Sequence, residues 1–295
     1  MALKLKRPVL GRSTIIAAGA LLAAMVSLQI GASFAKSLFP VVGPAGATVL
    51  RLLFASLILI VVTRPWQVRF EGSSRRWLVA YGLAMGSMNL LFYMSLSHLP
   101  LGIAVALMFA GPLAVALLSS RRLVDFLWVA LALGGLLFLL PIFGGDTGGD
   151  PTGLALALAA GACWAVYIFA GKRAGQQHGP QTTAIGMAIA ACVALPIGAS
   201  DALAAFPAGL VLTAIMVAIL SSAIPFTLEM VALKRLPVPT FSTMTSMEPA
   251  IAALVGLVAL GEQLSLTQWL AICAIIGASI GTTMTVKPTA SSLPD

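Results

Sequence analysis

Apolar residues run along this chain in blocks of about twenty, broken by short polar joints. The blocks fall at roughly 13–35, 45–63, 77–97, 101–119, 124–142, 152–171, 181–199, 209–231, 238–259 and 266–286. A helix needs about 20 mostly apolar residues to cross the hydrocarbon core, so the pattern predicts ten transmembrane helices. The joints hold turn and breaker residues: Gly43-Pro44, Pro65, Pro100, Gly144-Gly145, Gly148-Gly149, Gly179-Pro180 and Pro237. The first block follows Lys4, Lys6 and Arg7 as a signal peptide would. It is longer than a usual signal core and a second block follows at once, so it is expected to stay as a first helix.

Composition supports the same class. Sixty per cent of the residues are hydrophobic and 9% are charged, against about a quarter charged in soluble domains. The net charge of +8 does not point to nucleic acid, because the basic residues sit in short clusters between apolar blocks rather than on one soluble face. With the N-terminus placed in the cytoplasm, 15 of the 17 basic residues fall on cytoplasmic segments: Lys4, Lys6, Arg7, Arg12, Arg64, Arg69, Arg75, Arg76, Arg121, Arg122, Lys172, Arg173, Lys234, Arg235 and Lys287. Asp146, Asp150, Asp201 and Glu262 collect on the other side. This separation predicts cytoplasmic N- and C-termini. Cys163, Cys192 and Cys273 each lie within an apolar block at no metal-ligand spacing, and read as small packing residues.

The blocks repeat. His98-Leu99-Pro100 matches Arg235-Leu236-Pro237, and Pro112 matches Pro249, both at a shift of 137 residues. Gly43-Pro44 and Gly179-Pro180 match at 136, and Trp128 and Trp269 at 141. The chain therefore divides into a tail at 1–12, a first five-helix repeat at 13–145, a second at 151–287 and a tail at 288–295. An odd number of crossings per repeat inverts the second half relative to the first. The expected fold is an all-α integral membrane protein, an inverted repeat of two five-helix halves, with a substrate route near the midplane.

Charges within spans cost about 2.5–3.5 kcal/mol each on insertion scales, and few occur: Lys36, Arg51, Glu229 and Glu248. Glu248 lies near the middle of the ninth block beside Pro249, which frees the Thr245 carbonyl. A carboxylate beside a broken backbone suits a binding or proton-relay site; a carboxylate satisfied by a neighbouring helix is the plainer reading. Glu229 follows Ser222 and Pro225 at helical spacing, with pairing to Lys234 or Arg235 as its alternative. Arg51 either lifts its head to the interface or meets an acid or a substrate carboxylate. Lys36 ends a polar stripe of Gln29 and Ser33 on the first block, and lies shallow enough to reach the interface itself. Tyr81, Met85, Asn89 and Tyr93 recur at four-residue steps, and a buried amide such as Asn89 needs partners. Trp164 and Tyr167 are three apart; each is a pathway-lining or a packing residue. Pro112 mirrors Pro249 and frees the Met108 carbonyl, so both prolines are candidate hinges or kinks.

Enzymatic and nucleotide-binding motifs are absent from the sequence, and neither a cofactor nor a metal is expected. A small-molecule substrate and the lipid bilayer are the expected partners, nucleic acid is not, and a monomer is expected. Without a nucleotide site, transport must draw on a gradient, and a buried glutamate makes proton exchange physically available. A passive channel and a membrane-embedded enzyme are the readings from other classes.

Several stretches also resemble a known family: GASFAKSLFPVVG at 31–43, NLLFYMSL at 89–96, PLGIAVAL at 100–107, GPLAVALLSSRRLVDF at 111–126, GACWAVYI at 161–168, LEMVALKRLP at 228–237 and SMEPA at 246–250. They are similar to the EamA branch of the drug/metabolite transporter superfamily, and within it to amino-acid exporters of the bacterial inner membrane, of the threonine/homoserine kind. The resemblance implies ten helices, a central cavity between the halves and export by alternating access. It also implies an acidic residue where this chain has Met108. That departure removes one cavity carboxylate and admits more apolar cargo, so a broad exporter of drugs or apolar metabolites is the alternative from the same superfamily.

Overall fold

The computed structural model describes residues 12–69, 72–112, 114, 127–128, 130–132, 134–135, 150–204, 210–235 and 244–285. Every regular element among the described residues is helical: α1 (Arg12–Ser37), α2 (Phe39–Thr63), a 3₁₀ turn (Pro65–Gln67), α3 (Gly72–Ser95), α4 (Leu101–Met108), α5 (Pro151–Ala204), α6 (Leu210–Ala218), a π turn (Ile219–Ala223), α7 (Ile224–Arg235), α8 (Glu248–Leu260) and α9 (Leu266–Thr285). Six helical stretches are long and apolar enough to cross a bilayer, at Ile16–Ser37, Phe39–Thr63, Ser74–Ser95, Pro151–Gly175, Gly179–Ala202 and Leu210–Glu229. Leu101–Pro112, Glu248–Leu260 and Leu266–Ala278 are shorter apolar helices. Most of the fifth expected block and its loop, and the start of the ninth, lie outside the described residues.

α5 is not one rod. Its 54 residues would run about 80 Å at 1.5 Å per residue, far beyond a bilayer of about 30 Å. Thr182 Oγ1 donates to the Ala174 carbonyl at 3.1 Å, although the two are eight residues apart. The chain therefore turns back around Gly175–Pro180, where Gly179-Pro180 was expected to break it, and α5 is a helical hairpin. Tyr81 of α3 is wedged between its arms: a Cβ on Gly171 would stand 2.9 Å from the Tyr81 ring, and one on Gly186 would collide with it. Glycine at both positions lets three backbones share one aromatic ring.

Close approaches elsewhere fix helix directions. Ala17, Leu21 and Met25, one stripe of α1, cluster with Ala232 of α7. Gly46 of α2 lies against Ala202, and Gly102 of α4 against Ala253 of α8. Residues 36–46, 98–102, 150–153, 198–202 and 253–262 thus gather at one end of the bundle. Arg64, Arg69, Arg75, Arg76 and Arg173, all exposed, mark the other. Arg173 there lies over the Phe169 ring at 3.8 Å and the Trp77 ring at 4.6 Å, a cation–π contact with two faces.

Two breaks shape the helices, the first at the expected Gly43-Pro44 joint. Gly43 adopts φ 63° ahead of Pro44, a conformation that glycine tolerates, so the first turn of α2 is set off from the rest. Glu248 begins α8, after a turn at 246–247, instead of lying along an unbroken helix. Pro249 is then an early helical residue, where a missing N–H costs nothing, and the adjacent carboxylate sits at the positive end of the helix dipole.

Candidate functional site

Arg51 is the largest fully buried side chain among the described residues, at 2% exposure. The apolar run of α2 carries it inward, since its neighbours Leu50, Leu52 and Ala55 are buried too. Its guanidinium is held on three sides. Nη1 donates to the Ser221 carbonyl at 3.1 Å and to Ser222 Oγ at 3.0 Å. Nη2 donates to Asn89 Oδ1, and Asn89 Nδ2 donates back to the Met85 carbonyl at 2.8 Å. The Tyr93 ring lies 4.6 Å from the guanidinium carbon.

The Ser221 acceptor has a local cause. Pro225 stands four residues on and has no N–H to give that carbonyl, and the π turn at Ile219–Ala223 further opens the ladder. Gly31 of α1 admits the π turn closely; a Cβ there would stand 2.5 Å from the Ser221 nitrogen. Ser27 Oγ of α1 donates to the neighbouring Leu220 carbonyl at 2.7 Å. Hydrogen bonds to charged groups contribute about 1.5–3 kcal/mol each, so this cradle offsets much of the cost of burying Arg51. Among the described residues no carboxylate lies within ion-pair distance of it. Arg51 Nε and the Tyr93 hydroxyl are buried without a partner among the described residues.

Glu248 forms the second polar centre, buried at 6% exposure. Gln29 Nε2 of α1 donates to its Oε1 at 3.4 Å, while Gln29 Oε1 has no partner among the described residues. Glu229 of α7 is half-buried and within Coulombic range of Glu248. The side chains of Lys234 and Arg235, its alternative partners, lie outside the described ones. The Tyr167 hydroxyl is in Coulombic range of both glutamates. It accepts a hydrogen bond from Tyr81 at 3.3 Å, with the rings stacked at 4.8 Å.

The structure brings Arg51, Asn89 and Tyr93 into one contact set, and groups Glu248, Gln29, Glu229 and Tyr167. Other expected site residues lie apart or are satisfied locally. Ser33 Oγ donates to the Ile30 carbonyl of its own helix at 2.8 Å. Lys36 pairs with Glu262 at 2.6 Å at the end of the bundle. Trp164 packs edge-on against Phe109, with centroids 5.6 Å apart. Met108 is buried, and its carbonyl stands against Gly161, where a Cβ would lie 2.6 Å from it. That close approach is the contact made by the carbonyl Pro112 leaves free. Thr245 is half-buried, one turn before Pro249.

Ser221 and Glu262 are additions from the structure, and Ser222, read from the sequence only as a neighbour of Glu229 on one face, serves Arg51. The rule applied to Pro112 and Pro249, that a proline frees the carbonyl four residues back, points from Pro225 to Ser221 equally well. Glu262 carried no such signal, because a charge in a loop reads as solvated.

Outside the membrane-spanning segments, Asp150 caps α5: the Thr152 N–H donates to Oδ1 at 2.8 Å. That bond, aided by His98 Nδ1 at 2.6 Å from Oδ2, holds the carboxyl below its ordinary pKa.

Comparison with known proteins agrees with this architecture. The family model of the EamA-like transporter family matches residues 151–284. The threonine/homoserine exporter RhtA of Salmonella typhimurium strain LT2 is 57% identical over 273 residues, covering 90% of this chain and 91% of the relative. RhtA of Escherichia coli strain K12 is 56% identical over the same shares. A solved crystal structure, 21% identical, superposes with a TM-score of 0.61 over 90% of this chain and 96% of the other, and shares the fold. With a relative this similar along nearly its whole length and its second half matched by the family model, the chain belongs to the EamA-like transporter family.

Proposed function

We propose that this protein is a secondary active exporter of amino acids of the threonine/homoserine kind. It moves them from the cytoplasm across a bacterial inner membrane by alternating access, without converting them. One observation carries the reading: a buried guanidinium, cradled by neutral groups and with no carboxylate at ion-pair distance among the described residues, together with a separate buried carboxylate on α8. An amino acid brings the complementary charges. Its carboxylate approaches Arg51 Nε and the Tyr93 hydroxyl, and its ammonium approaches Glu248, with Glu229 behind. The RhtA relatives, exporters of threonine and homoserine by name, support the cargo.

Ten spans arranged as an inverted repeat, with both termini in the cytoplasm, belong to the same reading. The gathering of exposed arginines at one end of the bundle supports that orientation. Proton exchange at Glu248 is the proposed coupling. Met108, buried and apolar, favours a second reading, export of more apolar metabolites. Efflux is measured from cells overloaded with threonine, homoserine or an aromatic amino acid, with and without a proton-gradient uncoupler. Uncoupler-sensitive efflux of the first two is expected. Efflux of the aromatic cargo alone selects the second reading, and efflux that only equilibrates concentrations indicates a channel.

A further inference from the structure

Glu262 holds three segments together at the end of the bundle opposite the exposed arginines. Its Oε1 accepts from Lys36 Nζ of α1 at 2.6 Å. Its Oε2 accepts from the N–H of Leu101, the first residue of α4, at 2.7 Å. Lys36 also reaches the Leu99 carbonyl at 3.4 Å. The lysine and glutamate side chains are 26% and 12% exposed, partly desolvated yet in reach of water.

The backbone aims this carboxylate. Gly261 at φ 65° reverses the chain after α8, and the Glu262 N–H bonds the Gly256 carbonyl at 3.1 Å, a helix-ending motif that uses glycine for its left-handed residue. Gly256 has no side chain, and a Cβ there would collide with Glu262 Oε2. The linker that receives Glu262 is gripped a second time, by the His98–Asp150 pair at 2.6 Å. The Lys36–Glu262 pair joins the two halves read from the sequence, and the His98–Asp150 contact ties the first half to the residue just before the second.

A partly buried ion pair is poor evidence for stability, because desolvation cancels much of its attraction. That balance suits a contact that breaks and re-forms, since each charge recovers its hydration on opening. We propose that Glu262, clasped by Lys36 and the α4 N-terminus, is the latch that shuts the extracytoplasmic end of the pathway and lets go to release cargo. Lys36 thereby acts in gating and not in substrate contact. The inference rests on the exporter reading and its orientation.

The test follows access to the site, which needs no cargo. In a background with Cys163, Cys192 and Cys273 replaced by alanine, Ser222→Cys serves as the reporter. Its alkylation by a membrane-impermeant maleimide is timed in intact cells. Glu262→Gln and Lys36→Met are each expected to raise the rate about tenfold, the order of one lost charge-assisted bond. Glu262→Asp, too short to reach both partners, is expected to raise it less, and Ser265→Ala, on the same turn, not at all. Gel filtration in detergent identifies any variant that fails to fold, and the remaining ones decide. Unchanged rates in the folded latch variants, or an equal rise with Ser265→Ala, overturn the latch. Changed access without any amino-acid efflux from the parent would overturn the exporter reading and leave the latch standing.

Discussion

Arg51→Lys separates the two meanings a buried cation can have. If the residue only needs a positive charge long enough to reach the interface, lysine serves as well. The cradle instead uses the guanidinium fork: Nη1 serves Ser221 and Ser222, and Nη2 serves Asn89. A single ammonium cannot occupy both nitrogen positions, so at least one charge-assisted bond is lost, at about 1.5–3 kcal/mol. The flat face over Tyr93 goes as well, and so does Nε, the donor offered to substrate. Losing the Nε bond to the substrate carboxylate, at about the same 1.5–3 kcal/mol for a charge-assisted bond and about 1.4 kcal/mol per decade, should raise the half-saturating threonine concentration for efflux roughly 10- to 100-fold. The assay is efflux from threonine-loaded cells, normalised to the amount of protein in the membrane. Half-saturation within twofold of the parent would refute the reasoning, because it would mean the acceptors around Arg51 recognise charge alone.

Glu248→Gln keeps the shape of the side chain and its contact with Gln29, but removes the charge and the proton site. It should abolish export while membrane insertion, followed by fractionation, is unchanged; sustained efflux would remove Glu248 from the mechanism. Gly31→Ala drives a methyl group against the Ser221 backbone, and overpacking of this kind costs about 1–3 kcal/mol; the thermal midpoint in detergent should fall, where an unchanged midpoint would show that the π turn yields. Asp150 has its pKa lowered in the fold, so its contribution to stability is full above the unfolded carboxylate pKa of about 3.9 and is lost as pH falls through the lower folded value. Asp150→Asn should therefore flatten the acid limb of the detergent-solubilised protein's stability curve below about pH 4, and an identical limb in both proteins would refute the assignment.

The fold was readable wherever one physical requirement dominates. Backbone groups in hydrocarbon must be satisfied within their own segment, so each long apolar block has a single solution. α1, α2, α3 and both arms of α5 lie where the blocks place them. Reading failed where a block contains its own break. Nothing in a hydropathy profile distinguishes a proline that kinks a helix from one that starts it. Pro249 therefore looked like an interruption near the middle of a span, yet it opens α8. The π turn at Ile219–Ala223 left even less trace, because it adds no polar residue beyond two serines that an ordinary helix also accepts.

The site divides along the same line. Single buried charges are rare enough in an apolar chain that Arg51 and Glu248 stand out unaided, and the four-residue stripe of α3 correctly set Asn89 and Tyr93 on one face. What the stripe could not supply was the partner: Asn89 meets Arg51 across 38 residues, Arg51 meets Ser221 across 170, and Gln29 meets Glu248 across 219. Local spacing cannot encode such separations; packing does, through the glycines that bring Gly31 against Ser221 and Gly102 against Ala253. The same packing explains Lys36. Its stripe with Gln29 and Ser33 left it shallow enough to reach the interface, but Glu262 arrives from the far end of the chain and engages it. A lysine at the end of a helix therefore carries little information by itself. Its role is set by which carboxylate the second half of the chain delivers to it.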